Sequence, residues 1–203
     1  ADKALYLAKE KGKNRHIIYE ERLHGKLESD DMQNMAMAYA VSKEKKREVI
    51  TKMITELCVS GVNSIVKKEE RLQQIRSLFD LDGITIYSES GAQLVCRNGN
   101  YMVEVPDGRG LFEDEKYLAL FGDDDNFIES NTLKLRFQDP AAFAVMQKQE
   151  IGASLQCLSR KEGVPNVIVN FDVFNRNRKW SDEDITLLTI LGHCIGNLLN
   201  YSE

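Results

Sequence analysis

Residues Ile151–Tyr201 read IGASLQCLSRKEGVPNVIVNFDVFNRNRKWSDEDITLLTILGHCIGNLLNY, and this stretch decides the fold. Gly152 to Arg160 is a half-apolar run that predicts a strand. Lys161 to Pro165 contains Gly163 and Pro165, which supply the backbone angles of a reversal. Val167 to Phe174 is rich in β-branched and aromatic residues and predicts the returning strand. After the polar residues Asn175 to Lys179, Ser181 predicts a helix N-cap. Asp182, Glu183 and Asp184 fill the first turn, where the helix dipole favours negative charge. Leu188, Leu191, Ile195, Leu198 and Leu199 carry the helix onward. The unit is strand, turn, strand, turn, helix.

Upstream, Asp139 predicts a cap and Pro140 the first position of a helix over Ala141 to Gln149. Phe127 to Ser130 and Leu133 to Phe137 predict short strands, and Glu113 to Phe121 a short helix. Leu81 to Ser88 and Gln93 to Arg97 predict strands about a turn at Ser90-Gly91, with Tyr101 to Val105 as a third. Lys67 to Phe79 is an amphipathic helix with Leu72, Ile75, Leu78 and Phe79 on one side. Val49, Ile50, Met53, Ile54, Leu57 and Cys58 form another helical stripe. Glu20 to Lys46 lacks Pro and predicts a helical connector. The expected class is α+β: an antiparallel sheet covered by helices on one side, with an N-terminal helical extension.

At 203 residues and 42% hydrophobic content, the chain supports one substantial core plus extra segments. A net charge of -5 argues against a dedicated nucleic-acid binder. Cys58, Cys96, Cys157 and Cys194 form no Cys-x-x-Cys pair and read as reduced thiols of a cytoplasmic protein. No apolar run is long enough to span a bilayer. The chain opens at Ala1 within a helix-like pattern, so a piece of a longer protein is expected.

The residue types that do chemistry are not grouped. His16 and His24 lie in the N-terminal segments, and His193 sits within the final helix beside Cys194, pointing about 100° away from it. There is no Gly-rich phosphate loop, no nucleophile–base pair and no metal-ligand spacing. The acidic loop Gly122 to Asn126 lacks the spaced ligands of a calcium loop. The sequence thus predicts no catalytic residue, no metal and no required cofactor.

Two resemblances add to this. Residues 1–19 contain Ala1-Asp-Lys-Ala-Leu-Tyr-Leu-Ala-Lys-Glu-Lys-Gly-Lys-Asn-Arg15, which resembles the closing helix of GGDEF domains, the diguanylate cyclases that make cyclic di-GMP. That resemblance implies phosphate-contacting roles for Lys9 and Lys13 in an intact cyclase, with Lys13 in place of the more usual Arg. The Gly-Gly-Asp/Glu-Glu-Phe signature is absent, so this chain is not expected to be an enzyme. The parent would be a bacterial-type cyclase. Residues 20–45 follow as connector.

Residues 46–203 resemble a GAF domain. The resemblance rests on Asp80-Leu-Asp-Gly-Ile-Thr-Ile-Tyr87 after a helix, on Asp139-Pro140 with a helix into Glu150-Ile-Gly-Ala-Ser-Leu155, and on Trp180-Ser-Asp-Glu-Asp-Ile-Thr-Leu-Leu188. It implies a sensory cavity between the sheet and the irregular middle segment. Its candidate lining is Cys96, Tyr101, Phe112, Tyr117, Phe127 and Phe137, with Arg97, Arg109, Arg136 or Arg160 as anion-recognising groups. In nucleotide-binding members an Asn-Lys pair and a later Asp form a signature. Here Arg176, or Arg178 in the next Asn-Arg pair, precedes Asp184, and a structural ion pair of Arg176 with Asp184 is expected instead. Leu188, Leu191, Ile195 and Leu198, spaced three, four, three, suit the seam of a homodimer. The expected function is a sensory domain that binds an unidentified small molecule or partner and signals through dimer helices. The alternative is a ligand-free dimerisation scaffold with a self-filled pocket.

Overall fold

The computed structural model describes residues 29–60, 69–89, 91–97 and 108–200. The expectations for residues 1–19, including Lys9 and Lys13, and for a strand at Tyr101 to Val105 lie outside the described residues. The chain divides into two compact units, Ala1–Val49 and Ile50–Glu203. Helix α1 (Ser29–Ser60) begins in the first unit, and from Ile50 onward it belongs to the second.

The second unit is built on a five-stranded antiparallel sheet in the order β2-β1-β5-β4-β3. Its strands are β1 (Gly83–Ser88), β2 (Gly91–Arg97), β3 (Asn126–Glu129), β4 (Ile151–Lys161) and β5 (Val164–Phe174). Glu162 and Gly163, at φ 54° and 85°, make the turn between β4 and β5. Two positive φ angles in a two-residue loop match the right-handed strand twist. The reversal is tighter than the sequence suggests, and Pro165 already sits in β5 opposite Arg160.

Strand pairing sorts the side chains onto two faces, because directly opposite residues point the same way. One face carries Leu155 and Cys157 of β4, Val169 and Phe171 of β5, and Ile84 and Ile86 of β1, all fully buried. The other carries Ser154 and Gln156, Asn170 and Asp172, and Thr85 and Tyr87. The apolar face is covered by the last helix, α6 (Asp182–Asn200). Ser181 Oγ accepts the Asp184 amide at 3.1 Å, so the expected N-cap forms. Gly192 and Gly196 let this helix lie close to the sheet. A Cβ on Gly192 would stand 2.5 Å from Cys157 Sγ, and one on Gly196 would stand 2.2 Å from Ser159 Oγ.

Leu188, Leu191 and Ile195 are 0%, 0% and 1% exposed. They are core residues of their own chain, and Leu198 is half-buried, so the expected dimer seam is not the outward face of α6. The three-four spacing was the right signal for a buried stripe but named the wrong partner. On α1, Ile50, Met53 and Leu57 are buried, as are Leu72, Ile75 and Phe79 of α2 (Glu69–Phe79). Arg71 of α2 bonds Glu56 of α1 at 3.0 Å.

Helices lie over both faces, not one. The polar face is packed by Tyr117 of α3 (Glu115–Leu118), Leu135 of α4 (Leu135–Gln138), and Ala142 and Met146 of α5 (Pro140–Lys148). Asp139 caps α5 by accepting the Ala141 and Ala142 amides, each at 3.1 Å, with Pro140 at the first position. Leu133 to Phe137 is helical, not a strand. The alternation there is misleading, because Asn131 accepts the Leu133 amide at 3.1 Å and starts a 3-10 turn, leaving Leu133 and Phe137 exposed.

The expected ion pair is made by the neighbouring arginine. Arg178 bonds Asp184 at 3.0 Å, while Arg176 lies 3.1 Å from Asp80 and 3.4 Å from Asp82. Arg178 also donates to the Phe79 and Asp80 carbonyls at the end of α2 and lies 4.3 Å from the Trp180 ring centroid. Gly192→Ala, which normally favours a helix, is expected to cost about 1–3 kcal/mol in urea unfolding, because overpacking outweighs propensity. Arg178→Lys is expected to cost about 1–3 kcal/mol, since one ammonium cannot serve three acceptors and the ring. Arg176→Lys, on a pair that is 43% exposed on the arginine side, should stay within about 1 kcal/mol.

Candidate functional site

The polar face of the sheet floors a cavity of about 90 Å³. Tyr87, Gln156 and Asn170 rise from the strands, and Asp114, Tyr117, Ala142 and Met146 close it from the short helices. Gly108 holds the rim against Tyr87. Its φ is +81°, and a Cβ there would stand 2.1 Å from the tyrosine ring, so both backbone angle and space call for glycine.

A directed hydrogen-bond chain runs beside the cavity. Tyr117 Oη donates to Gln156 Oε1 at 2.5 Å. Gln156 Nε2 donates to Ser154 Oγ at 3.1 Å, and Ser154 Oγ donates to Asp172 Oδ1 at 2.6 Å. Every proton in the chain points towards the Asp172 carboxylate, which fixes the glutamine amide orientation. Burial drives the Tyr117 pKa far above the ordinary phenol value, with Tyr87 and Asp172 adding to the shift. The phenol therefore remains a donor. Asn170 Oδ1 is buried and accepts no hydrogen bond, and the same holds for Thr85 Oγ1, its neighbour across β1 and β5.

Of the expected lining residues that are described, only Tyr117 borders this cavity. Phe127 is buried in the adjoining apolar cluster, and Phe112 is half-buried against it. Phe137 is 87% exposed, since the helical turn rotates it outward. Cys96 pairs with Ile84, so its side chain belongs to the opposite face. Tyr101 lies outside the described residues. Arg160 is bound to Asp125 at 2.8 Å and Arg136 is exposed, while the side chains of Arg97 and Arg109 are outside the described set. Among the described residues no arginine lines the cavity. His193 Nε2 lies 3.1 Å from Asn126 Oδ1, a structural contact between α6 and β3. Among the described residues no group of three or more His, Cys, Asp or Glu is placed to hold a metal ion.

The strand residues on this face carry a sequence signal of their own. Ser154 and Gln156, then Asn170 and Asp172, interrupt two apolar strands at alternate positions of one parity. Equal parity puts such residues on one face.

Burial raises the Cys157 thiol as well as the Tyr117 phenol. Both native values lie above their unfolded ones, so the unfolded chain releases these protons first. Stability is fully present below the unfolded values and falls as pH rises past about 9 to 10. Tyr117→Phe is expected to make that alkaline fall shallower. At neutral pH it should cost about 1–3 kcal/mol, because Gln156 Oε1 loses its donor. Urea unfolding across pH 7 to 10.5 tests both parts, with linear extrapolation at each pH.

No protein-family model matches the sequence, and no curated protein matches it. Solved structures do share its shape. The phycoerythrobilin-bound GAF domain of a cyanobacterial phytochrome superposes with a TM-score of 0.59 at 8% identity, covering 77% of this chain and 95% of that one. The chromophore-binding domain of the Stigmatella aurantiaca bacteriophytochrome gives 0.58 at 14% identity, covering 76% of this chain and 60% of that one. The red/green cyanobacteriochrome NpR6012g4, in its red-light-absorbing state, gives 0.53 at 16% identity, with 70% and 96% covered. The sheet order, the flanking helices and these superpositions together establish that the chain has the fold of GAF domains.

Proposed function

We propose that the chain is a sensory domain without chemistry of its own, in which occupancy of the cavity on one face of the sheet alters helix packing on the other. The carrying observation is the pleat. Gln156 and Asn170 face the cavity, and their chain neighbours Cys157 and Phe171 meet α6 at Gly192. A ligand that displaces the first pair moves the second. A tenfold population shift requires about 1.4 kcal/mol of differential binding between two arrangements.

The GGDEF-like wording of residues 1–19 supports a place within a diguanylate cyclase chain. The partner in this reading is a second copy, engaged through α1 and α6. With Leu188, Leu191 and Ile195 committed to the core, Val59 and Ile190 are exposed apolar residues on those helices. No described helix is long and apolar enough to cross a membrane.

The neighbours' bilins are not carried over. The cavity of about 90 Å³ is far below the 300–1,000 Å³ that drug-sized ligands fill, and no cysteine lines it. Its small size also favours the second reading, a dimerisation scaffold whose interior is filled by its own side chains. Native mass spectrometry of the purified chain, with amide exchange before and after mild stripping, separates them. The sensor reading expects a retained small molecule and a severalfold change in α6 exchange on its release. An empty chain whose α6 exchange is insensitive to every added small molecule would favour the scaffold.

A further inference from the structure

Two thiols far apart in the sequence meet within the second compact unit. Cys58 stands on α1 and Cys194 on α6, and their thiols share a hydrogen bond. The packing beside them accounts for the meeting. On α1, Met53 and Leu57 are buried and Ile54 is half-buried, and Cys58 lies one turn beyond Ile54. On α6, Leu191 is buried and Leu198 half-buried, and Cys194 lies between them, three and four residues away on the same flank. Each cysteine therefore borders a buried stripe. Cys58 is exposed and Cys194 half-buried, so the pair sits at the open edge of that packing. The other two cysteines are shut away. Cys96 and Cys157 are 5% and 0% exposed, and burial raises the Cys157 thiol far above its ordinary value. Among the described residues no third His, Cys, Asp or Glu joins the pair to make a metal site, and His193 is turned to Asn126 of β3.

Two thiols in contact can exchange their hydrogens for a bond. We propose that Cys58 and Cys194 are a redox modification site, a thiol pair that a peroxide closes into a reversible disulfide locking α1 to α6. The thiolate is the attacking form, and access decides which sulfur meets the oxidant first. Exposed Cys58 attacks the O–O bond of hydrogen peroxide and becomes a sulfenic acid, and the second oxygen leaves as water. The Cys194 thiolate then attacks the Cys58 sulfur, and the departing hydroxide takes up the proton that Cys194 released, giving a second water. Two thiols have lost two electrons and two protons to one peroxide. Burial and the neighbouring Cys58 raise the Cys194 thiol, which suits it to the second step and not the first. The sulfurs must close from contact to about 2.05 Å, so the bond draws the two helices together at this point and holds them. The lock acts on the helices directly and needs no guest in the cavity.

The full chain, reduced and then treated with hydrogen peroxide, tests this. Trypsin places each of the four cysteines on a separate peptide, so oxidation is read cysteine by cysteine once free thiols have been alkylated. The expected product is the Cys58 peptide joined to the Cys194 peptide, two hydrogens lighter than the pair, from a chain that runs as a monomer on a non-reducing gel. Cys58 is expected to lose its thiol at least about tenfold faster than buried Cys157, and dithiothreitol is expected to restore both thiols of the pair. Closing so long a loop should raise the melting temperature by about 5 °C or more and slow amide exchange in α6 severalfold. In Cys194→Ser the reaction should stop at a Cys58 sulfenic acid, trapped by dimedone, with the melting temperature unmoved by peroxide. Cys58→Ser, at an exposed position, gives the same test without disturbing packing, and should leave Cys194 as a thiol. Cys58 oxidised to sulfinic or sulfonic acid beside a fully alkylated Cys194 would overturn the pairing. A disulfide between two chains through Cys58, formed equally in Cys194→Ser, would overturn the link within one chain. Joined peptides with melting temperature and exchange both unchanged would overturn the lock.

Discussion

The pairing register of β4 and β5 is the constraint on which the rest depends. Ser154 opposite Asp172 and Gln156 opposite Asn170 put four polar side chains on one face. Leu155 opposite Phe171 and Cys157 opposite Val169 put the apolar set on the other. A slip of one residue would exchange the faces, driving four polar groups under α6 and the apolar set into the cavity floor. Several buried polar groups without partners would cost about 1–3 kcal/mol each, comparable in sum with the whole stability of a domain. The turn at Glu162-Gly163 closes the pair as Lys161–Val164 and Arg160–Pro165, and a one-residue shift between Ser159 and Arg160, with Asn166 left over, brings it into that register. At the other end the register shifts again between Ile151 and Ala153, at Gly152, where a Cβ would stand 2.3 Å from the Arg176 carbonyl oxygen.

The two faces are held by different physics. Under α6 the packing is steric: glycines in the helix meet a thiol and a hydroxyl of the sheet at distances that leave no room for a methyl group. Where strands and helices meet at their ends, the packing is electrostatic. Arg178, 11% exposed at its side chain, is costly to bury alone and is compensated by a carboxylate, two carbonyls and an indole face. Desolvation lowers its pKa, and the Asp184 charge opposes that shift, the balance expected of a buried but paired guanidinium. This one residue links the end of α2, the start of α6 and Trp180, whose indole N–H in turn bonds the Glu129 carbonyl at 3.2 Å.

Much of the fold was legible because local signals agreed with one another. Ser181, Asp139 and Pro140 marked helix starts that the structure uses. The strands predicted within Leu81 to Ser88 and, from β-branched and aromatic content, over Val167 to Phe174 are neighbours in the sheet. Legibility failed where one signal had two readings. The stripe of Leu188, Leu191 and Ile195 specifies a buried face, but periodicity carries no information on whether the covering surface is a sheet or a second chain. Leu133 to Phe137 alternates like a strand and coils because Asn131 caps it. Arg176 and Arg178 are equivalent in sequence, and only the strand end, where Asn175 takes φ 54°, decides which of them turns towards α6. Of the aromatic candidates Tyr117 reaches the cavity, whose floor is Tyr87, Gln156 and Asn170 on the strands.

The cover over the cavity is built of short pieces. Leu111 comes from Arg109–Phe112 and Tyr117 from Glu115–Leu118, of four residues each, and Ala142, Val145 and Met146 come from α5, of nine. Helices become self-supporting only at about 12–15 residues, so these turns have no cooperative helical stability and rest on caps and on contacts with the sheet below. Long core strands such as β4 and β5 generally open with the domain as a whole. Stability is therefore graded through the molecule, and the cover can detach transiently at a fraction of the free energy of global unfolding. Access to the cavity then becomes a matter of how often its roof breathes, and residence inside it is limited by the same fluctuation.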